Sequence, residues 1–175
     1  MKAIVVYASK YGSTRGIAEF IAEKLRQQGT QAEVRPVEAV HNPGDYDALV
    51  VGSAVYMMHW LKEAAEFVRR NRAVLANRPV WLFSSGPLGS SASVNDPKLE
   101  PKEIAEFREV INPRDHRIFF GALDHSKLGF KHRMVAKMPA AQAILPEGDF
   151  RNWKDIEVWA ISIAQALEAP QTAPR

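Results

Sequence analysis

The chain has 175 residues, a formal charge of +3 and no cysteine. That length suits one domain, which buries roughly 70% of its unfolded surface and needs no staple to fold. The missing cysteine excludes disulfides, cysteine-ligated iron–sulfur clusters and a thiol nucleophile, and the small charge, without a basic stripe, makes no case for nucleic acid.

The amino terminus runs straight into an apolar segment without the tripartite pattern of a signal peptide, and no apolar run approaches the ~18 residues of a membrane span. A soluble, cytoplasmic protein is expected. Residues 3–8 predict a short buried strand. A polar turn follows, and Ile17, Phe20, Ile21 and Leu25 recur at helical spacing, with Gly29 placed to end that helix. Residues 31–37 alternate weakly, as an outer strand closed by Pro36 would. Residues 48–52 form a continuous apolar run, the pattern of a parallel strand buried on both faces. Residues 53–60 are expected to be a loop, and Leu61, Ala64, Ala65, Val68 and Leu75 a helix face. Residues 79–83 predict a fourth strand, leading into a serine- and glycine-rich loop over residues 84–93. Residues 101–110 look helical, with Pro101 in the first turn. Residues 117–123 are expected to be one fifth strand. Residues 124–148 fit no single pattern. Asn152 then caps a last helix with Trp153, Ile156, Ala160, Ile163 and Leu167 along one face. One domain over residues 1–169 and a frayed tail over residues 170–175 are expected.

Strands alternating with helices predict an open parallel sheet covered on both faces. Ligands of such sheets sit outside the carboxyl ends of the strands. The loops after the first, third and fourth strands are therefore the candidates, and these three are the polar, glycine-containing or aromatic ones. The first comprises Ser9, Lys10, Tyr11, Gly12, Ser13 and Thr14. It reads either as a tight turn with helix capping or as an anion site, where free N–H groups and the helix dipole favour a phosphate. It has neither Walker nor G-x-G-x-x-G spacing, so a single terminal phosphate suits it better than a pyrophosphate. The second centres on Ala54, Val55, Tyr56 and Met57. Tyr56 is either a rim aromatic or a face for stacking a flat ring; His59 reads as a helix-start residue rather than a proton donor, and Trp60 as packing. The third holds Ser85, Gly86, Pro87, Leu88 and Gly89, either a solvated loop or one whose backbone approaches a ligand closely.

An apolar strand followed by Ser-Lys-Tyr-Gly-Ser-Thr resembles the phosphate loop of the flavodoxin-like family, usually Ser/Thr-x-Thr-Gly-x-Thr, with Tyr11 replacing a threonine. Gly52-Ser-Ala-Val-Tyr56 and Glu147-Gly-Asp149-Phe-Arg151-Asn-Trp153 resemble a narrower group, the flavodoxin-domain proteins similar to menaquinone-dependent protoporphyrinogen oxidase. The resemblance spans nearly the whole chain. It implies a doubly wound α/β fold with a five-stranded parallel sheet of order 2-1-3-4-5 and helices on both faces. It implies bound FMN, its ribityl phosphate at Ser9 to Thr14 and its isoalloxazine between the second and third loops. It implies an FMN-dependent oxidoreductase, quinone-linked or protoporphyrinogen-oxidase-like, acting on a quinone, tetrapyrrole or nicotinamide donor. The alternative is a non-catalytic flavodoxin that carries electrons to a protein partner. The third loop lacks an aromatic or acidic residue before Asp96, which favours the enzyme. Residues 127–137, from Lys127 to Lys137, read as a surface excursion or as a basic, apolar flap facing substrate or the inner membrane surface. No catalytic residue and no metal ligand is assigned.

Overall fold

Strand β1 (Lys2–Ala8) follows from its β-branched centre: Ile4, Val5 and Val6 are all fully buried, which requires cover on both faces. The computed structural model describes residues 1–86, 99–124, 126 and 147–169. β1 pairs in parallel with β2 (Gln31–Pro36) on one side and with β3 (Ala48–Tyr56) on the other. A two-residue strand, β4 (His59–Trp60), folds back antiparallel on β3. β3 continues the parallel sheet to β5 (Val80–Ser85), and β5 to β6 (Asp115–Phe119). The five parallel strands thus stand in the order β2-β1-β3-β5-β6, which is the expected 2-1-3-4-5 with β4 added at one end of β3.

Helices cover both faces because successive strand residues point opposite ways. Ala3 and Val5 of β1 pack under α1 (Ser13–Gln27), together with the helix we call α5 (Trp153–Glu168). Ile4 and Val6 pack on the other side, under α2 (Lys62–Arg70), α3 (Arg72–Leu75) and α4 (Glu103–Ile111). α1 ends at Gly29 with φ +85, and Asn152 caps α5 by accepting from the Asp155 N–H, both as expected.

Three segments depart from expectation. Residues 53–56, and with them Ser84 and Ser85, are not loop: the ladder between β3 and β5 continues through Ser53↔Ser84 and Ala54↔Ser85, and Met57 and Met58 then turn the chain back as a hairpin. The helix over residues 61–75 is broken at Asn71, whose side chain donates to the Phe67 carbonyl and so competes with the helical pattern. The fifth strand stops at Phe119. After Gly121 the chain leaves the sheet, and β7 (Ala122–Leu123) pairs antiparallel with β8 (Gly148–Asp149). Among the described residues, no helix is long and apolar enough to cross a membrane. The tail, most of the 84–93 loop and the 127–137 stretch lie outside the described residues.

Candidate functional site

Parallel pairing in register brings the candidate segments to one edge of the sheet. Ala8 stands opposite Ser53, and Ser53 opposite Ser84. The turn after β1, the β3–β4 hairpin and Ser85-Gly86 therefore emerge side by side. Gly86 lies against Val55, where an added Cβ would come within 2.9 Å of the valine Cβ. The Lys10 ammonium lies over two rings, 5.5 Å from the centre of Tyr11 and 5.3 Å from that of Tyr56, linking turn and hairpin. Pro87, Leu88 and Gly89 lie outside the described residues.

The turn over residues 9–14 has an open helix start. Gly12 occupies the cap position with φ +91, where a residue with a Cβ is strained, and it has no side chain to cap with. The Ser9 hydroxyl oxygen accepts from the Gly12 N–H at 3.0 Å, which closes the turn on itself. The N–H groups of Ser13, Thr14 and Arg15 have no acceptor within the helix. The first turn of α1 carries no acidic residue that would repel an anion. Thr14 is buried. The Ser13 hydroxyl accepts from the Ala122 N–H of β7 at 2.8 Å, leaving its own hydrogen for donation. A cavity of about 350 Å³ opens beside Tyr11, Gly12 and Ser13 and runs to β7, β8 and Arg151. A larger one of about 790 Å³ lies between β6 and α5 and shares no residue with the three segments.

The hairpin carries backbone strain. Met57 and Met58 have φ +49 and +66, the paired left-handed geometry of a two-residue turn that favours Asn-Gly. At non-glycine positions it costs about 1–2 kcal/mol per residue. Contacts to neighbouring elements hold it. The Lys102 N–H donates to the Met58 carbonyl at 3.0 Å. Glu103, at the start of α4, takes the His59 Nδ1 at 2.8 Å and the Trp60 N–H at 3.1 Å. Burial alone would raise the Glu103 carboxyl, but the contacts from His59 and the Trp60 N–H outweigh it and hold the group below the usual carboxylate range. Met57 at the tip is 93% exposed and Tyr56 41%. Burial of its phenol, with Tyr11 beside it, pushes Tyr56 up to about 12, so the ring is neutral at physiological pH.

Behind the hairpin a polar chain runs from the buried Trp60 and Ser84 out to the surface at Glu100 and Arg108. Trp60 Nε1 donates to Ser84 Oγ at 2.8 Å, Ser84 Oγ meets His116 Nε2 at 2.8 Å, and His116 Nδ1 faces Glu100 at 3.5 Å. Arg108 grips that carboxylate with both Nη atoms. The carboxylate only accepts, so Nδ1 bears the imidazole hydrogen and Nε2 accepts from Ser84. Burial pulls His116 down to about 4, against the opposing effect of Glu100, and the ring is neutral at pH 7.

Glu103 and His116 carried no sequence signal, because each acts through a partner far along the chain, and Ser84, expected as the first residue of a loop, lies instead in β5 with its hydroxyl turned to Trp60 and His116. Arg151 was noted only as part of a motif. It reaches Ser13, and its guanidinium fills the space over Gly16.

A family model described as the flavodoxin domain matches residues 4–144. The chain belongs to the flavodoxin-domain family. FMN is the cofactor that goes with this family. The protein is 23% identical over 182 residues to protoporphyrinogen IX dehydrogenase (quinone) of Escherichia coli strain K12, covering 97% of this chain and 98% of that one. Its fold is similar to that of a flavodoxin from the domain Archaea, with a TM-score of 0.59 at 18% identity over 97% of this chain and 100% of the other. An oxidised flavodoxin from Bacillus cereus superposes with a TM-score of 0.57 at 16% identity, over 95% of this chain and 99% of the other.

Proposed function

We propose that this flavodoxin-domain protein is an FMN-dependent oxidoreductase that exchanges electrons with a small, flat redox substrate of the quinone or tetrapyrrole class. FMN supplies the redox chemistry when bound; the chain binds and orients it. Nothing lies within 4 Å of the position a Gly12 Cβ would take, so the turn leaves room for a phosphate before the free N–H groups of α1. Ser9 and Ser13 hold their hydroxyls in place by accepting backbone N–H bonds and keep hydrogens to donate. Tyr56 offers a neutral ring for stacking, and Ser85 with Gly86 offers backbone groups to a ring edge. Pro87, Leu88 and Gly89 are proposed to continue that edge.

The observation that carries the enzyme reading is the chemistry of this rim. Among the described residues of the turn, the hairpin and the end of β5, Lys10, Tyr11, Tyr56, Met57, Ser85 and Gly86 are cationic, aromatic, apolar or small; the carboxylates of Asp124, Glu147 and Asp149 line the cavity on the β7–β8 side of the turn, away from the hairpin. An acidic rim would suit docking of a basic protein partner; this one suits an apolar or anionic small molecule. The full-length similarity to a quinone-linked dehydrogenase supports the same choice. The test is a substrate screen on FMN-loaded protein, following flavin absorbance with quinones, protoporphyrinogen and NAD(P)H. Turnover with a quinone or tetrapyrrole is expected. Reduction of a partner redox protein with no small-molecule turnover would make it an electron carrier instead.

A further inference from the structure

We propose that Arg151 is a positioning residue that aims the Ser13 hydroxyl at the cofactor phosphate and so sets the preference for FMN over unphosphorylated riboflavin. This rests on the reading that the Ser9-to-Thr14 turn takes that phosphate. Arg151 follows β8 and is held on three sides. Its Nε and Nη2 donate to the Asp149 carboxylate at 2.8 and 2.6 Å, a bidentate pair that fixes the plane of the guanidinium. It lies 4.4 Å from the centre of the Trp153 ring, and Trp153 packs on Phe20 of α1 at 4.9 Å. Its remaining Nη1 donates to the Ser13 carbonyl at 3.5 Å. The β7–β8 ribbon therefore grips Ser13 twice, at the side-chain oxygen through Ala122 and at the carbonyl through Arg151.

The same contact explains why a glycine stands at Gly16 inside α1, where glycine is less favourable than alanine. A Cβ there would come within 2.6 Å of Arg151 Nη1. The helix thus gives up stability at the place where the guanidinium approaches its first turn. The side chain is only 17% exposed, as expected of a strut rather than a free surface cation. Because Asp149 balances its charge, Arg151 works by placement and not by adding positive potential.

The test compares FMN and riboflavin affinities, by quenching of flavin fluorescence, in wild type, Arg151→Met, Arg151→Lys and Gly16→Ala. Wild type is expected to prefer FMN. Arg151→Met should lose roughly tenfold in FMN affinity, equivalent to about 1.4 kcal/mol, with riboflavin affinity unchanged. Arg151→Lys should lose the preference nearly as fully, since lysine keeps the charge but not the planar fork that fixes the placement. Gly16→Ala displaces the guanidinium while leaving Arg151 itself in place, so it should lower FMN affinity and leave riboflavin affinity unchanged; a general loss of folding would lower both. Unchanged FMN preference in both Arg151→Met and Gly16→Ala, or an equal loss for FMN and riboflavin, would overturn the proposal. A wild type that binds both flavins equally would instead overturn the phosphate-turn reading beneath it.

Discussion

At Gly12 a single backbone angle decides what the turn can do. With φ +91, Gly12 closes the turn onto Ser9 and opens α1 without a side-chain cap, and an L residue there is strained by about 1–2 kcal/mol. Gly12→Val is expected to weaken FMN binding about tenfold or more, because the strain is relieved only by distorting the turn. Thr14→Ala should cost less, a few-fold, corresponding to roughly one hydrogen bond of about 1 kcal/mol. Equilibrium titration with FMN checks both, and equal affinities in all three proteins would remove the phosphate from this turn. Tyr56 makes a second point at this scale. Partial burial, with Tyr11 beside it, pushes the phenol up to about 12, so it presents a neutral ring and not a titrating acid in the physiological range.

At the scale of elements, the β3–β4 hairpin is the strained piece. Two methionines occupy positions that favour Asn-Gly, and the hairpin keeps its shape because α4 holds it through Glu103 and the Lys102 N–H. Met57→Asn combined with Met58→Gly should relieve the strain and stabilise the fold by about 1–2 kcal/mol. For a chain of this size that is a rise in melting temperature of roughly 2–4 °C per kcal/mol. Scanning calorimetry of the two proteins decides it: a lower melting temperature in the variant would mean that the methionine side chains stabilise the hairpin by more than their backbone costs.

For the whole molecule, the polar chain from Trp60 through Ser84 and His116 to Glu100 joins β4, β5, β6 and the segment before α4. His116 titrates near 4 when folded, below its ordinary 6.5, so the native state binds fewer protons than the unfolded chain between these values. Its contribution to stability is complete above pH 6.5 and is lost as pH falls through 4. At about 1.4 kcal/mol per pH unit, the loss is on the order of 3 kcal/mol. Chemical denaturation at a series of pH values should show stability falling over this window, and His116→Asn should flatten that part of the curve while lowering stability at pH 7. A profile unchanged by the substitution would mean that His116 is not the group responsible.

The alternation of strands and helices, the covered faces, the open turn at Gly12 and the Asn152 cap were legible because each rests on neighbouring residues, whereas the strand order came from the family resemblance and not from any local pattern. Apolar runs report burial, and turn chemistry reports local φ and hydrogen bonding. The position of the candidate segments was legible to the same depth: Ser9 to Thr14 and Tyr56 stand side by side at the carboxyl edge of the sheet. What pairs with what was not legible. Ser53 to Tyr56 continue as strand because Ser84 and Ser85 lie beside them, and the apolar run over residues 117–123 splits because Ala122 finds Asp149 and Ser13. His59 meets Glu103 44 positions away, and Arg151 meets Ser13 138 positions away. Composition and periodicity along the chain determined the layers and the open glycine turn at the start of α1. Only the tertiary structure decided which side chains hold that turn and the hairpin in place, because such contacts depend on the meeting of distant segments and leave no local pattern.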